Sequence, residues 1–324
     1  MNIVLIGVVA LLLLSAAWTQ FVVARIRSEH PPAGVFVPVS GGRLHMRDIG
    51  PRDAPPERTL VLIHGASSNH MALTLPLEPL LRQRYRILAI DRPGHGHSDR
   101  PGGRADASPT RQAALISQAM TAAGAPRAII VAHSFAGAVA TSLAMDHPRH
   151  VAGLVLLGAV SHPWPGGIAW YYHPASTPVF GWLFSSIMAV PGAAFSMEAG
   201  LRGVFHPQVP PEGYVKATAL RLMLRPASFR ANAEDVAALH AHVSAQNARY
   251  AEIMAPTVLI AGEQDTTVST SIHSQALARQ LPDVRIVILP GVGHVPHHAD
   301  TERVVSEIDA LSERIAAKNS ETGG

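Results

Sequence analysis

The chain has 324 residues, 48% hydrophobic and 15% charged, with a formal net charge of +3. That length suits one α/β domain with a sizeable insertion, and the apolar content excludes a disordered chain. Its Lys and Arg residues are scattered rather than gathered into a basic stripe, which argues against a nucleic-acid partner. With no cysteine there are neither disulfides nor thiolate metal sites, and nothing follows about redox compartment.

Residues 3–23 (IVLIGVVALLLLSAAWTQFVV) carry no charge. At ~1.5 Å per helical residue this run is long enough to cross a hydrocarbon core. A buried core helix is disfavoured because the run has no polar face. A single-pass anchor over residues 1–24 is the reading adopted, with Trp18 near the interface and Arg25 and Arg27 just beyond it. A cleaved signal peptide stays open, since Ser15-Ala16-Ala17 resembles a small-residue processing site, although Met1-Asn2 supplies no basic side chain. Arg25, Arg27, Arg43 and Arg47 all follow the span, so the positive-inside rule places the domain on the cytoplasmic side. Residues 25–34 read as a proline-bearing tether.

Short apolar runs come next, each closed by a polar residue or glycine. Residues 60–63 (LVLI) lead into His64-Gly65, and 86–90 (RILAI) into Asp91-Arg92-Pro93-Gly94. Residues 128–132 (AIIVA) meet His133-Ser134, and 155–157 run to Gly158. Residues 257–261 (TVLIA) precede Gly262, and 285–289 (RIVIL) precede Pro290-Gly291. Continuous rather than alternating apolarity marks strands buried on both faces of a parallel sheet. Helical patterns such as 113–123 and 136–145 separate them, so the expected fold is a doubly wound, mostly parallel α/β sheet. Its core should comprise residues 35–161 and 251–316, with 317–324 as a tail. Residues 162–250 contain no strong strand pattern and are too long for a loop, so they read as a helical cap over the carboxyl edge of the sheet.

The chemistry gathers at those strand ends, where reactive groups collect in such sheets. In Val131-Ala132-His133-Ser134-Phe135-Ala136-Gly137 a buried strand gives way to an alanine-rich helix. Ser134 would sit on the sharp turn between them, as in the G-x-S-x-G elbow, with alanine in both glycine positions. Taken alone, the stretch also admits a serine that simply caps a helix, as the lesser reading. A serine nucleophile needs a base, and that base needs a carboxylate to hold its tautomer. Asp265 and His294 stand at later strand ends and supply both. Glu263 is a rival for the carboxylate role. The backbone N–H groups of Ala66 and Phe135 are candidates for the oxyanion hole.

Over roughly residues 35–315 the chain resembles the α/β-hydrolase family, in particular its capped branch of esterases, epoxide hydrolases, haloalkane dehalogenases and carbon–carbon hydrolases. The resemblance rests on the His64-Gly65 turn, Asp91-Arg92-Pro93-Gly94-His95-Gly96-His97-Ser98, the Ser134 elbow, and the Asp265 and His294 loops in that order. It implies Ser134, Asp265 and His294 as the triad and favours Asp265 over Glu263. A serine, where dehalogenases and epoxide hydrolases carry aspartate, implies acyl chemistry without a cofactor. Carbon–carbon bond hydrolysis, or a non-catalytic role at the membrane, remain as alternatives.

The resemblance also implies a structural Asp91. His133 is read as a packing or hydrogen-bonding residue. His297, His298 and Asp300 raise the question of a metal, but no matching ligand set is evident elsewhere, and a solvated helix start accounts for them. Aromatic residues are concentrated between positions 164 and 184. Most should form the core of the cap, with Trp164, Trp170 and Phe180 contributing an apolar pocket roof. With an anchor, that roof suggests a small, lipophilic, ester-like substrate.

Overall fold

A computed structural model describes residues 3–322. Residues 1–2 of the expected anchor and 323–324 of the expected tail lie outside the described residues. Eight strands form one sheet: β1 (Val35–Val39), β2 (Gly42–Ile49), β3 (Thr59–Ile63), β4 (Arg86–Ile90), β5 (Ala128–His133), β6 (Val151–Leu157), β7 (Thr257–Gly262) and β8 (Val284–Leu289). The sheet order is β1-β2-β4-β3-β5-β6-β7-β8. Strands β1 and β2 form an antiparallel hairpin, and β2 pairs antiparallel with β4; every other pairing is parallel. Sequence periodicity does not identify this hairpin, because β2 mixes Arg43, His45, Arg47 and Asp48 with its apolar residues and is buried only in its centre.

The helices are α1 (Ile3–Glu29), α2 (Met71–Leu81), α3 (Pro109–Ala122), α4 (Ala136–Asp146), α5 (Tyr172–Ser176), α6 (Phe180–Phe205), α7 (Tyr214–Ala217), α8 (Pro226–Gln246), α9 (Ser274–Ala278), α10 (Pro296–Ala299) and α11 (Thr301–Thr322). Alternate residues of the central strands point to opposite faces. Val61, Ile63, Ile130 and Leu156 pack with Ile116 of α3 and Val139 of α4. Leu60, Leu62, Val131 and Leu157 pack with Leu77 of α2 and Ile308 of α11. Covering both faces requires strands that are apolar throughout, which is how β3, β4, β5 and β6 read. Helix α11 continues past residue 316, so the expected tail is helical as far as Thr322.

The stretch between β6 and β7 holds α5, α6, α7 and α8 and no strand. Its dominant element is α6, 26 residues long. Helix α1 packs along it: Ser15 Oγ donates to the Ile187 carbonyl at 2.7 Å, and Val22 and Ile26 share an apolar cluster with Val190. Helices α1 and α6 are both long and apolar enough to cross a bilayer by length and composition. Helix α1 extends through Glu29, so the first half of the expected tether is helical.

Candidate active site

The chain leaves β3 to form β4 on one side and then crosses to place β5 on the other. This reversal opens a crevice between the carboxyl ends of β3 and β5. The loop His64-Gly65-Ala66-Ser67 leaves one strand there, and Ser134 leaves the other.

Ser134 adopts φ 55°, a left-handed conformation that a non-glycine residue enters only under constraint. The constraint is visible in its backbone. Its N–H donates to Leu157 O at 3.0 Å, and its carbonyl accepts from Gly137 N at 2.9 Å and Val160 N at 3.0 Å. Strand β5 and helix α4 meet so closely that Ala132 and Ala136, the elbow's flanking positions, are both fully buried. Alanine fits at both. At Gly137 it would not, because a Cβ would come within 2.6 Å of Ala159 Cβ.

His294 Nε2 lies 2.9 Å from Ser134 Oγ, and His294 Nδ1 lies 2.8 Å from Asp265 Oδ2. The other Asp265 oxygen accepts from the N–H groups of Thr267 and Val268 at 2.9 and 2.8 Å, which leaves Oδ2 to the imidazole. Glu263 is exposed, and its carboxylate accepts from Gly291 N at 3.3 Å. The structure therefore brings Ser134, His294 and Asp265 together and leaves Glu263 apart from them. Gly65 lies against the serine, where a Cβ would stand 3.0 Å from Ser134 Cβ. The N–H of the next residue, Ala66, has no protein acceptor among the described residues.

Several other histidines surround the site. His133 Nε2 lies 3.0 Å from the His294 carbonyl, and its ring meets His297 edge-on at 4.5 Å. Burial, with His294 beside the first and His133 beside the second, holds both imidazoles well below their ordinary pKa, so both are neutral. The solvated helix start expected here holds for Asp300, which is exposed and accepts from Arg303 N at 3.0 Å as α11 begins, but not for the two histidines. His297 is buried, and His298 Nε2 lies 3.1 Å from Ala72 O. Asp91 accepts from His45 Nδ1, His70 Nδ1 and the backbone N–H groups of His70 and His97. Burial alone would raise its pKa; His70 and His45 outweigh that and hold the carboxyl well below its ordinary value. Its lone pairs are spent in pinning strand β2 and the loops after β3 and β4, which is a structural role.

A cavity of about 550 Å³ opens beside the site, reaching it at Ala66, Ser67 and His133. Its wall is mostly one side of α6, including Met188, Met197, Leu201 and Phe205, with Phe229 from α8. Of the three roof aromatics expected, Trp170 lines it. Trp164 does not: it packs on the main core, with His240 and His273 against its ring. Phe180 does not either, because its side chain is 54% exposed on the outer side of α6. Residues such as Met188 and Met197 carry no motif. Only the apolarity of α6 signals them, and apolarity cannot say which side of a helix faces a cavity.

Residues 60–307 match the family model described as the alpha/beta hydrolase family. The chain is 29% identical over 300 residues to the putative carbamate hydrolase RutD of Variovorax paradoxus, covering 85% of this chain and 97% of that protein. It is 30% identical over 173 residues to the AB hydrolase superfamily protein YfhM of Bacillus subtilis, spanning 52% of this chain and 55% of that relative's length. Among solved structures, one described as a membrane phospholipase A superposes with a TM-score of 0.64 at 22% identity, covering 97% of both chains.

Proposed function

The chain belongs to the α/β-hydrolase family, and from that premise we propose a membrane-anchored serine hydrolase that cleaves a carboxylic ester, or a related acyl bond, of an apolar substrate. The observation that carries this reading is the unbroken relay from Ser134 Oγ through His294 to Asp265. Ser134 attacks the acyl carbon as His294 Nε2 takes its proton. Asp265 holds the proton on Nδ1, keeping Nε2 free to accept, and stabilises the imidazolium that forms. The N–H groups of Ala66 and Phe135 receive the negative charge on the acyl oxygen; such donors each contribute about 10²–10³-fold. The imidazolium protonates the leaving alcohol, then as imidazole activates the water that releases the acid. No step calls for a cofactor.

The apolar-substrate reading is supported by the cavity wall, which offers an acyl chain the thioethers and aliphatic groups of α6 with few polar atoms. The anchor reading is supported by α1, whose Ile3, Leu5, Leu11 and Leu13 are more than half exposed. With α1 across a bilayer, the Ser15–Ile187 contact sets the outer side of α6 at the same depth. There its exposed Phe180, Trp182 and Leu183 meet acyl chains instead of water. Arg25 and Arg27 at the far end of α1 support a cytoplasmic catalytic domain by the positive-inside rule. The description of a solved neighbour as a membrane phospholipase A agrees with this picture.

The test is labelling of the membrane fraction with a fluorophosphonate probe, in wild type and Ser134→Ala. Wild-type labelling lost in the variant is expected. Labelling that persists in Ser134→Ala refutes the nucleophile, and an unlabelled wild type refutes the enzyme. A series of acyl esters then tests the cavity: kcat/KM should rise with chain length, and turnover confined to small polar esters overturns the apolar-substrate reading.

A further inference from the structure

We propose that helix α8 sets the oxyanion hole, with Asn232 and Asp235 acting as positioning residues that aim the backbone N–H groups of Ala66 and Phe135 at the reacting carbonyl. The proposal rests on the hydrolase reading above and adds a role for side chains of the β6–β7 insert that no motif marks.

Asn232 and Asp235 lie one turn apart and so share a face of α8. Asn232 takes hold of Ser67 at two points: its Oδ1 accepts from Ser67 N at 2.6 Å, and its Nδ2 donates to Ser67 Oγ at 3.0 Å. Ser67 has φ 53°, a strained conformation that its own residue type does not favour and that an outside grip must hold. Asp235 acts through Arg92. Arg92 Nη1 donates to Asp235 Oδ2 at 2.6 Å, and both side chains are fully buried. The rest of the guanidinium reaches back to the loop, with Nε donating to His64 O at 3.0 Å and Nη2 to Gly65 O at 3.1 Å.

These contacts bracket Ala66. Gly65 C=O and Ala66 N–H belong to one planar trans peptide, in which the two bonds point in opposite directions. Holding the Gly65 carbonyl therefore directs the Ala66 N–H the other way. A cation on that carbonyl also polarises the peptide and strengthens its N–H as a donor. With the His64 and Gly65 carbonyls gripped on one side of Ala66 and the Ser67 N–H on the other, the peptide has no room to rotate. The same guanidinium lies 4.2 Å over the ring of Phe135, whose backbone carries the second candidate N–H. One cation thus holds the Gly65 carbonyl and packs on the side chain of the residue that carries the second donor, and an insert carboxylate holds that cation. A buried ion pair is a poor source of net stability but a good source of geometry, and geometry is what a preorganised charge site needs. His64 and His95, which sit beside Arg92, are held neutral by burial and by that cation, so they do not compete for Asp235.

The test compares wild type with Asn232→Leu, Asn232→Asp and Arg92→Lys in the full chain, using a soluble short-chain ester and a trifluoromethyl ketone that forms a tetrahedral adduct. Asn232→Leu keeps the volume and removes the grip, and should lower kcat about 10–10²-fold, a fraction of the loss of a whole donor. KM should stay within twofold, and ketone affinity should fall by the same factor as kcat/KM. Asn232→Asp still accepts from Ser67 N–H and should recover most of the loss, which a purely structural defect would not do. Arg92→Lys keeps a charge for Asp235 but gives up the fork to His64 and Gly65, and should reproduce the Asn232→Leu pattern even if Asn232→Leu does not fold. Turnover within twofold of wild type in Asn232→Leu and Arg92→Lys, or a loss carried by KM with ketone affinity unchanged, overturns the proposal alone. A wild type silent to the fluorophosphonate probe overturns the hydrolase reading, and the proposal falls with it.

Discussion

Replacing Asp265 by asparagine separates the chemistry of the relay from the stability of its loop. Asp265 Oδ1 accepts from the N–H groups of Thr267 and Val268, and Oδ2 faces His294 Nδ1 at 2.8 Å. An asparagine oxygen can keep both backbone donors, which turns its NH₂ toward the imidazole. Two donors cannot share that contact, so His294 gives up the Nδ1 proton and carries it on Nε2, 2.9 Å from Ser134 Oγ. A protonated Nε2 cannot accept the serine proton. The expected loss is about 10⁴-fold in kcat, or about 5.5 kcal/mol of barrier, with KM little changed. Asp265→Ala should lose comparable activity and, in addition, strand two donors at about 1–3 kcal/mol for each that is buried. Steady-state hydrolysis of a nitrophenyl ester and a thermal melt separate the two effects: the asparagine variant melts near wild type and the alanine variant well below it. Glu263→Gln is the control and should retain activity within twofold. Asp265→Asn within tenfold of wild type, or Glu263→Gln falling as far, would refute the reasoning.

Gly65→Ala places a Cβ 3.0 Å from Ser134 Cβ and 3.2 Å from His133 Nδ1, so the loop must retreat from the nucleophile. A fall in kcat of at least tenfold, with the fold intact by circular dichroism, is the expected outcome. Acid should destabilise the protein in a definite window. His64, His95, His133 and His297 have folded pKa values well below 6.5, chiefly through burial, so the unfolded chain binds their protons first. Their contribution is complete above pH 6.5 and is lost as pH falls below it, each such imidazole costing about 2 kcal/mol by pH 5; denaturant titrations at pH 8, 6.5 and 5 check this. Intact-mass measurement of the membrane-purified protein should show residues 1–17 retained, whereas a mass beginning after Ala17 would replace the anchor with a processed leader.

The sequence by itself determined the elements whose physics is local. A strand covered on both faces must be apolar along its whole length, so β3, β5 and β7 are legible as LVLI, AIIVA and TVLIA. The turns that follow them need glycine, alanine or a short polar residue, which marks the strand ends where Gly65, Ser134 and Asp265 stand. The edge hairpin β1–β2 is not legible, because half-exposed strands carrying His45 and Arg47 lose that signature. Only the tertiary structure decided what depends on how two distant surfaces meet. Asp265 rather than Glu263 reaches His294 because the loop's backbone bonds turn one carboxylate inward and leave the other in solvent. Trp170 lines the cavity while Phe180 faces out, since periodicity can show that a helix is apolar without naming its partner. Asn232 and Arg92, 140 positions apart and in no common motif, meet across the oxyanion loop only when α8 docks on the sheet edge.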